Sequence, residues 1–181
     1  MVSTMKKINI AFVNIMDCYS GGEKVLERIV NNIDREKFHP IVVSRNTDFL
    51  NSIEVGHEQL IVINRSFQLG LSRSPMILFK LIANFFQAFL ICFKLSMLHK
   101  VKVVHSNSLI SNVYFSLFSR MFGMKFIGYS HEVRYGLAYK VLHRYLSLTS
   151  SKIITVSEAV RKSWIHNGAD EKKVITIYNG L

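Results

Sequence analysis

The run INIAFVNIMDCYSGGE, residues 8–23, decides how the rest of the chain is read. Ile8 to Asn14 is a short, nearly continuous apolar segment, the pattern of a strand buried on both faces. Ser20-Gly21-Gly22-Glu23 then turns the chain into a helix whose Val25, Leu26, Ile29, Val30 and Ile33 recur at spacings of three and four. Lys6 and Lys7 ahead of this run give it the look of a secretory leader. Asn9 and Asn14 interrupt the apolar stretch, however, and Asp17 stands where a small-residue cleavage site belongs. A buried first strand fits better.

Outward from this unit, strands and helices alternate. Strands are expected at Pro40–Ser44, Leu60–Ile63, Val101–His105, Lys125–Tyr129, Lys152–Val156 and Val174–Tyr178. Between them fall a loop at Ser66–Ser74 and a long helix from Pro75 to His99, with Pro75 suited to a first helical turn. A helix at Leu109–Phe122 is closed by Gly123, another covers Leu137–Leu148, and Ser157 caps one that ends near Gly168. Alternation of this kind implies a mainly parallel, doubly wound α/β sheet of about seven strands in a single domain over residues 1–181. Ligands of such sheets bind beyond the carboxyl ends of the strands.

Apolar residues make up 49% of the 181, enough for a sizeable core. The two cysteines, Cys18 and Cys92, are far apart and form no metal or redox motif, which suits a reducing cytoplasm. The net charge is +11, and between Glu58 and Glu132 there is no acidic residue at all, although eight lysines and arginines fall there. Such a field favours an anionic partner, a lipid surface or a phosphorylated substrate, over a merely solvated basic face. No helix-turn-helix, zinc or RNA-binding motif accompanies the charge, so no nucleic-acid partner is expected. Met76–Leu98 is long enough to span a bilayer. Lys80, Asn84, Gln87 and Lys94 nevertheless make one polar stripe along it, the pattern of a helix packed on a sheet. Phe85, Phe86, Phe89 and Phe93 could still touch a membrane interface.

The residues that can carry chemistry stand after the strands. Ser20-x-x-Glu23 is a capping box, and Gly21 and Gly22 let a phosphate or sugar hydroxyl approach the helix N–H groups. The turn is neither a dinucleotide fingerprint nor a Walker loop, which argues against a nicotinamide cofactor. Ser106 and Asn107 follow the fourth strand. Ser130, His131 and Glu132 follow the fifth; His131 reads either as a ligand contact or as a satisfied loop histidine, and Glu132 either orients it or meets Arg134 at the surface. His105 reads as a buried histidine bonded to backbone. Cys18 has no adjacent base and is not read as a nucleophile. No Asp-x-Asp occurs, so no metal site and no bound cofactor are expected.

Taken together, Gly21-Gly22-Glu23, VVHSN at 103–107, YSHE at 129–132, IITVSEAV at 153–160 and KVITIYNG at 173–180 resemble the N-terminal domain of family 4 glycosyltransferases. The resemblance implies one Rossmann-like half of the two-domain GT-B architecture, and metal-independent, retaining transfer of a sugar from a nucleotide donor. It implies that Gly21 and Gly22 lie near the donor phosphate and acceptor, that His131 contacts the transferred sugar, and that Asn179-Gly180 begin the interdomain hinge. The donor-binding half would lie outside these 181 residues, on a separate C-terminal half, and alone they would not turn over. The expected acceptor is lipid-linked or polysaccharide, at the inner face of an anionic membrane in the cytoplasm. The other reading is a non-catalytic remnant that docks on a membrane or a partner.

Overall fold

Seven parallel strands form a single sheet in the order β3-β2-β1-β4-β5-β6-β7. They are β1 (Ile8–Asn14), β2 (Phe38–Ser44), β3 (Leu60–Val62), β4 (Val103–Ser106), β5 (Lys125–Ser130), β6 (Lys152–Thr155) and β7 (Val174–Thr176). Between them run α1 (Gly21–Asn32), α2 (Thr47–Asn51), α3 (Met76–Met97), α4 (Leu109–Met121), α5 (Leu137–Thr149) and α6 (Glu158–His166). The structure, a computed structural model, describes residues 7–56, 59–63, 67 and 76–179. Pro75, Gly180 and the 66–74 loop apart from Phe67 lie outside the described residues.

The chain builds the sheet outward from β1 in one direction, then returns across it to β4 and builds in the other. Right-handed crossovers therefore place α1 and α2 on one face and α3 to α6 on the opposite face. The two-residue period of β1 serves both: Phe12 packs with Leu26, Val30, Val42 and Phe49, whereas Ala11 and Val13 pack with Val104, Phe115, Phe126 and Leu95. A third cluster, Leu146, Ile153, Val160, Trp164 and Val174, seats α5 and α6. Among the described residues α1 and α2 cover only the β1–β3 side of their face, and Ile175 of β7 is exposed.

Local signals hold where expected. Gly123 takes a φ of 72° after α4, and Ser157 Oγ accepts from Val160 N–H at the start of α6. The five-residue α2 was not expected; it is too short to show periodicity, and only Asn46, whose Oδ1 accepts from Phe49 N–H at 2.9 Å, marks it.

Helix α3 corrects its sequence reading. Its polar stripe is divided: Lys80 and Lys94 are exposed, whereas Asn84 is buried, and its Nδ2 donates to Phe67 O at 2.8 Å and to the Tyr114 hydroxyl. Ala88, Cys92 and Leu95 continue that buried face. Phe85 and Phe89 pack ring-to-ring on Tyr114, Phe118 and Phe122, so they do not belong to the outer surface. Phe79, Ile82, Phe86, Leu90, Phe93 and Met97 do face outward.

Trp164 is fully buried, stacks on His143 at 3.8 Å and donates from Nε1 to Ser130 Oγ. Trp164→Ala is expected to cost about 3–5 kcal/mol, because the surrounding strands cannot close over a vacated indole. Urea unfolding followed by far-UV circular dichroism measures it.

Candidate functional site

The reversal of strand order between β1 and β4 opens a crevice at the carboxyl edge of the sheet. Three chain segments meet there. The first is the start of α1, where buried Glu23 accepts from Ser20 N–H at 3.0 Å and from Ser20 Oγ at 2.6 Å. That carboxylate satisfies the cap and fixes the turn, as the sequence spacing implied. The second follows β4: Asn107 is tied to β1 through its N–H, which donates to Val13 O at 3.2 Å. The third follows β5 and carries His131.

Their approach is close. A Cβ added to Gly22 would sit 3.4 Å from Asn107 Nδ2 and 3.5 Å from His131 Nε2. His131 Nε2 lies 3.3 Å from Asn107 Oδ1. With Oδ1 as acceptor, Nε2 carries the hydrogen and Nδ1 is the basic nitrogen. Asn107 Nδ2 is buried and has no partner among the described residues. The His131 ring also meets Tyr129 edge-on at 4.6 Å. Burial lowers the pKa of His131 from its ordinary value, against the opposing pull of Glu23, Glu132 and Asn107, so the imidazole is neutral at pH 7.

A cavity of about 420 Å³ occupies the crevice. It is lined by Met16, Cys18, Ser20 and Gly22 around the start of α1, by Asn107 to Ile110 and Tyr129 to His131 after β4 and β5, and by Arg134, Tyr139 and His143. It offers a neutral imidazole, an unpartnered amide, helix N–H groups and an aromatic wall, which together suit a polyhydroxylated ring. Among the described residues no three His, Cys, Asp or Glu side chains converge as a metal set.

The expected site residues fall as follows. Gly22, Asn107, Ser130, His131 and Glu132 line the cavity. Ser130 Oγ is already engaged as acceptor for Trp164 Nε1, and Glu132 is exposed and paired with Arg134, whose Nε donates to it at 2.7 Å. Ser106 is fully buried, and its hydroxyl has no partner among the described residues. Gly21 stands exposed at the helix start, with nothing within 4 Å of where its Cβ would be. Asn179 Oδ1 accepts from the Tyr129 hydroxyl at 2.7 Å, and Gly180 lies outside the described residues. His105 is buried as expected, but its Nε2 has no partner among the described residues; the ring sits between Phe12 and Tyr129 instead. Sequence reasoning took Arg134 only as a surface partner of Glu132 and missed Tyr139 and His143. The four-residue spacing of Tyr139 and His143 on one helical face was their only signal.

The model of Glycosyltransferase Family 4 matches residues 19–181. The chain belongs to that family. Its fold is that of a glycosyltransferase from Rickettsia africae (TM-score 0.70, 19% identity, 97% of this chain and 44% of that one). It is also that of Anabaena Alr3699/HepE in complex with UDP (TM-score 0.69, 15% identity, 96% and 44%). A third similar structure is the apo lipopolysaccharide outer core galactosyltransferase WaaB (TM-score 0.62, 12% identity, 96% and 46%). The chain thus spans less than half the length of these structures. No curated protein matches it in sequence.

Burial drives the pKa of both His105 and His143 down to about 4, while each titrates near its ordinary 6.5 in the unfolded chain. Above pH 6.5 both states hold these rings neutral, and they give stability no slope with pH. As pH falls from 6.5 towards 4 the unfolded chain binds protons that the folded chain refuses, so stability is lost across that window. His105→Gln and His143→Gln are each expected to flatten the fall in thermal midpoint from pH 6.5 to 4, read by circular dichroism.

Proposed function

We propose that these residues form the acceptor-side wall of a retaining glycosyltransferase that moves a sugar from a nucleotide donor to a lipid-linked or polysaccharide acceptor. The observation that carries this reading is the meeting of Gly22, Asn107 and His131 within van der Waals and hydrogen-bond reach at the strand-order reversal. The HepE structure contains UDP, and WaaB is a lipopolysaccharide outer core galactosyltransferase; both favour a nucleotide-sugar donor, and the second favours a glycolipid acceptor.

The roles follow from the chemistry of the groups. Neutral His131 can bond a hydroxyl of the transferred sugar without adding charge beside the developing oxocarbenium. The N–H groups at the start of α1 face the side from which a phosphate approaches. Asn107 holds the imidazole ring and fixes its tautomer. The leaving diphosphate needs fixed positive charge from the opposite wall, which in this reading comes from a donor-binding half beyond these 181 residues. Asn179, held by Tyr129, is where the connection to that half begins. In this reading the transfer uses no metal and no bound cofactor, and its setting is the cytoplasmic side of a membrane.

The 181 residues alone are expected to show no turnover with UDP-sugars and lipid acceptors, whereas an assembly containing the donor half turns over; multiple turnover by the isolated chain overturns this division of labour. In the active assembly, His131→Ala should lower kcat by about 10²-fold or more. Gly22→Val should abolish activity at near-native stability, since its branches would enter the space beside Asn107 and His131. An assembly that stays inactive with every donor tried would favour the non-catalytic remnant instead.

A further inference from the structure

The two faces of the sheet differ in charge as well as in covering helices. Eight of the 12 acidic residues precede residue 59, in the part of the chain that carries α1 and α2. Helices α3, α4 and α5 contain none. From residue 59 to 157 the sole carboxylate in the sequence is Glu132, and it is paired with Arg134. The surface of α3, α4 and α5 therefore carries cations and no carboxylate of its own, with Lys80, Lys94, Lys100, Arg120 and Lys140 all exposed.

The same face is apolar. Along α3, Phe79, Ile82, Phe86, Leu90, Phe93 and Met97 succeed one another at helical spacing, each between 47% and 68% exposed. Leu117 and Met121 extend the surface onto α4, which α3 contacts through its phenylalanines. Lys80 and Lys94 flank the stripe, and neither joins an ion pair among the described residues. At 22 residues α3 is about 33 Å long, so the patch runs the height of the domain. It is too large and continuous for an ordinary solvated surface.

We propose that the outer face of α3, continued on α4, docks on an anionic lipid bilayer with the helix lying along the interface. The charge distribution selects this occupant. A second copy meeting the patch symmetrically would bring unneutralised lysines against themselves. A nucleic acid would engage the cations and leave the phenylalanine stripe in water. An anionic interface satisfies both: apolar side chains enter the acyl boundary while lysine stems reach up to the headgroups. The helix lies flat and does not span, because Asn84, Ala88, Cys92 and Leu95 hold its inner face to the domain. Its first turn follows β3 and so stands at the carboxyl edge of the sheet, the edge on which the crevice opens. The inference does not depend on the transfer chemistry proposed above.

The test is sedimentation of the chain with vesicles of phosphatidylcholine and phosphatidylglycerol in equal parts, and with vesicles of phosphatidylcholine alone. The native chain is expected to bind the anionic vesicles much more strongly. Phe86→Ser/Leu90→Ser should weaken that binding by about tenfold or more. Lys80→Gln/Lys94→Gln should weaken it by about fivefold per charge on anionic vesicles, with no change on neutral ones. The protein's sole tryptophan, Trp164, is buried, so Phe86→Trp supplies a reporter whose emission should shift to the blue on binding. Absence of binding to anionic vesicles, or binding indifferent to both double variants, overturns the proposal. So does a dimer in solution that Phe86→Ser/Leu90→Ser disperses while vesicle binding is absent, which assigns the face to self-association.

Discussion

The handedness of the parallel crossover governs this molecule more than any single contact. Each strand must return to the amino edge through a helix, and the right-handed path fixes the face on which that helix lands. Because the chain extends the sheet from β1 to β3 and then doubles back to β4, two outcomes are forced together. The carboxyl ends of β1, β4 and β5 become neighbours with diverging connections, which leaves room for the crevice. The helices also sort by sequence position, so a chain whose acids cluster early and whose cations cluster in the middle acquires one face with mixed charge and one that is basic.

Within the crevice, low solvent access is the working condition. Burial holds His131 and His105 neutral, and among the described residues Asn107 Nδ2, Ser106 Oγ and His105 Nε2 have no partners. Buried polar groups seldom stand unsatisfied without a reason, and these three are consecutive at the carboxyl end of β4, where Asn107 lines the cavity. The cost is carried by the tight packing below, where Trp164, His143 and Ser130 lock α5 and α6 to β5. Fixed dipoles on a rigid floor are what electrostatic stabilisation of a reacting group requires.

Helix α3 shows a conflict between local pattern and global arrangement. Its lysines and amides share one side, and an isolated amphipathic helix would turn that side to water. In the fold the same side is divided: Asn84 goes inward, where Phe67 and Tyr114 satisfy it, and the lysines stay at the rim. The aromatic residues then split between the α4 contact and open surface. Conflicts of this kind mark functional surfaces more often than errors of folding.

Much of the fold was written in local chemistry. Strand runs such as Ile8–Asn14, the Glu23 capping box, the Ser157 cap and the left-handed Gly123 depend on residues a few positions apart, and so they determined element order, parallel pairing and the edge where ligands sit. The motif at residues 129–132 likewise placed His131 at a strand end. Which partners each residue meets was decided only by tertiary structure. The proximity of Gly22 to Asn107 and His131, the recruitment of Tyr139 and His143 from α5, the engagement of Ser130 by Trp164 and the outward turn of the Phe86 stripe all join segments tens of residues apart. Periodicity reports that a side of a helix is apolar; only the packed sheet determines whether that side is spent on the core or left facing outward.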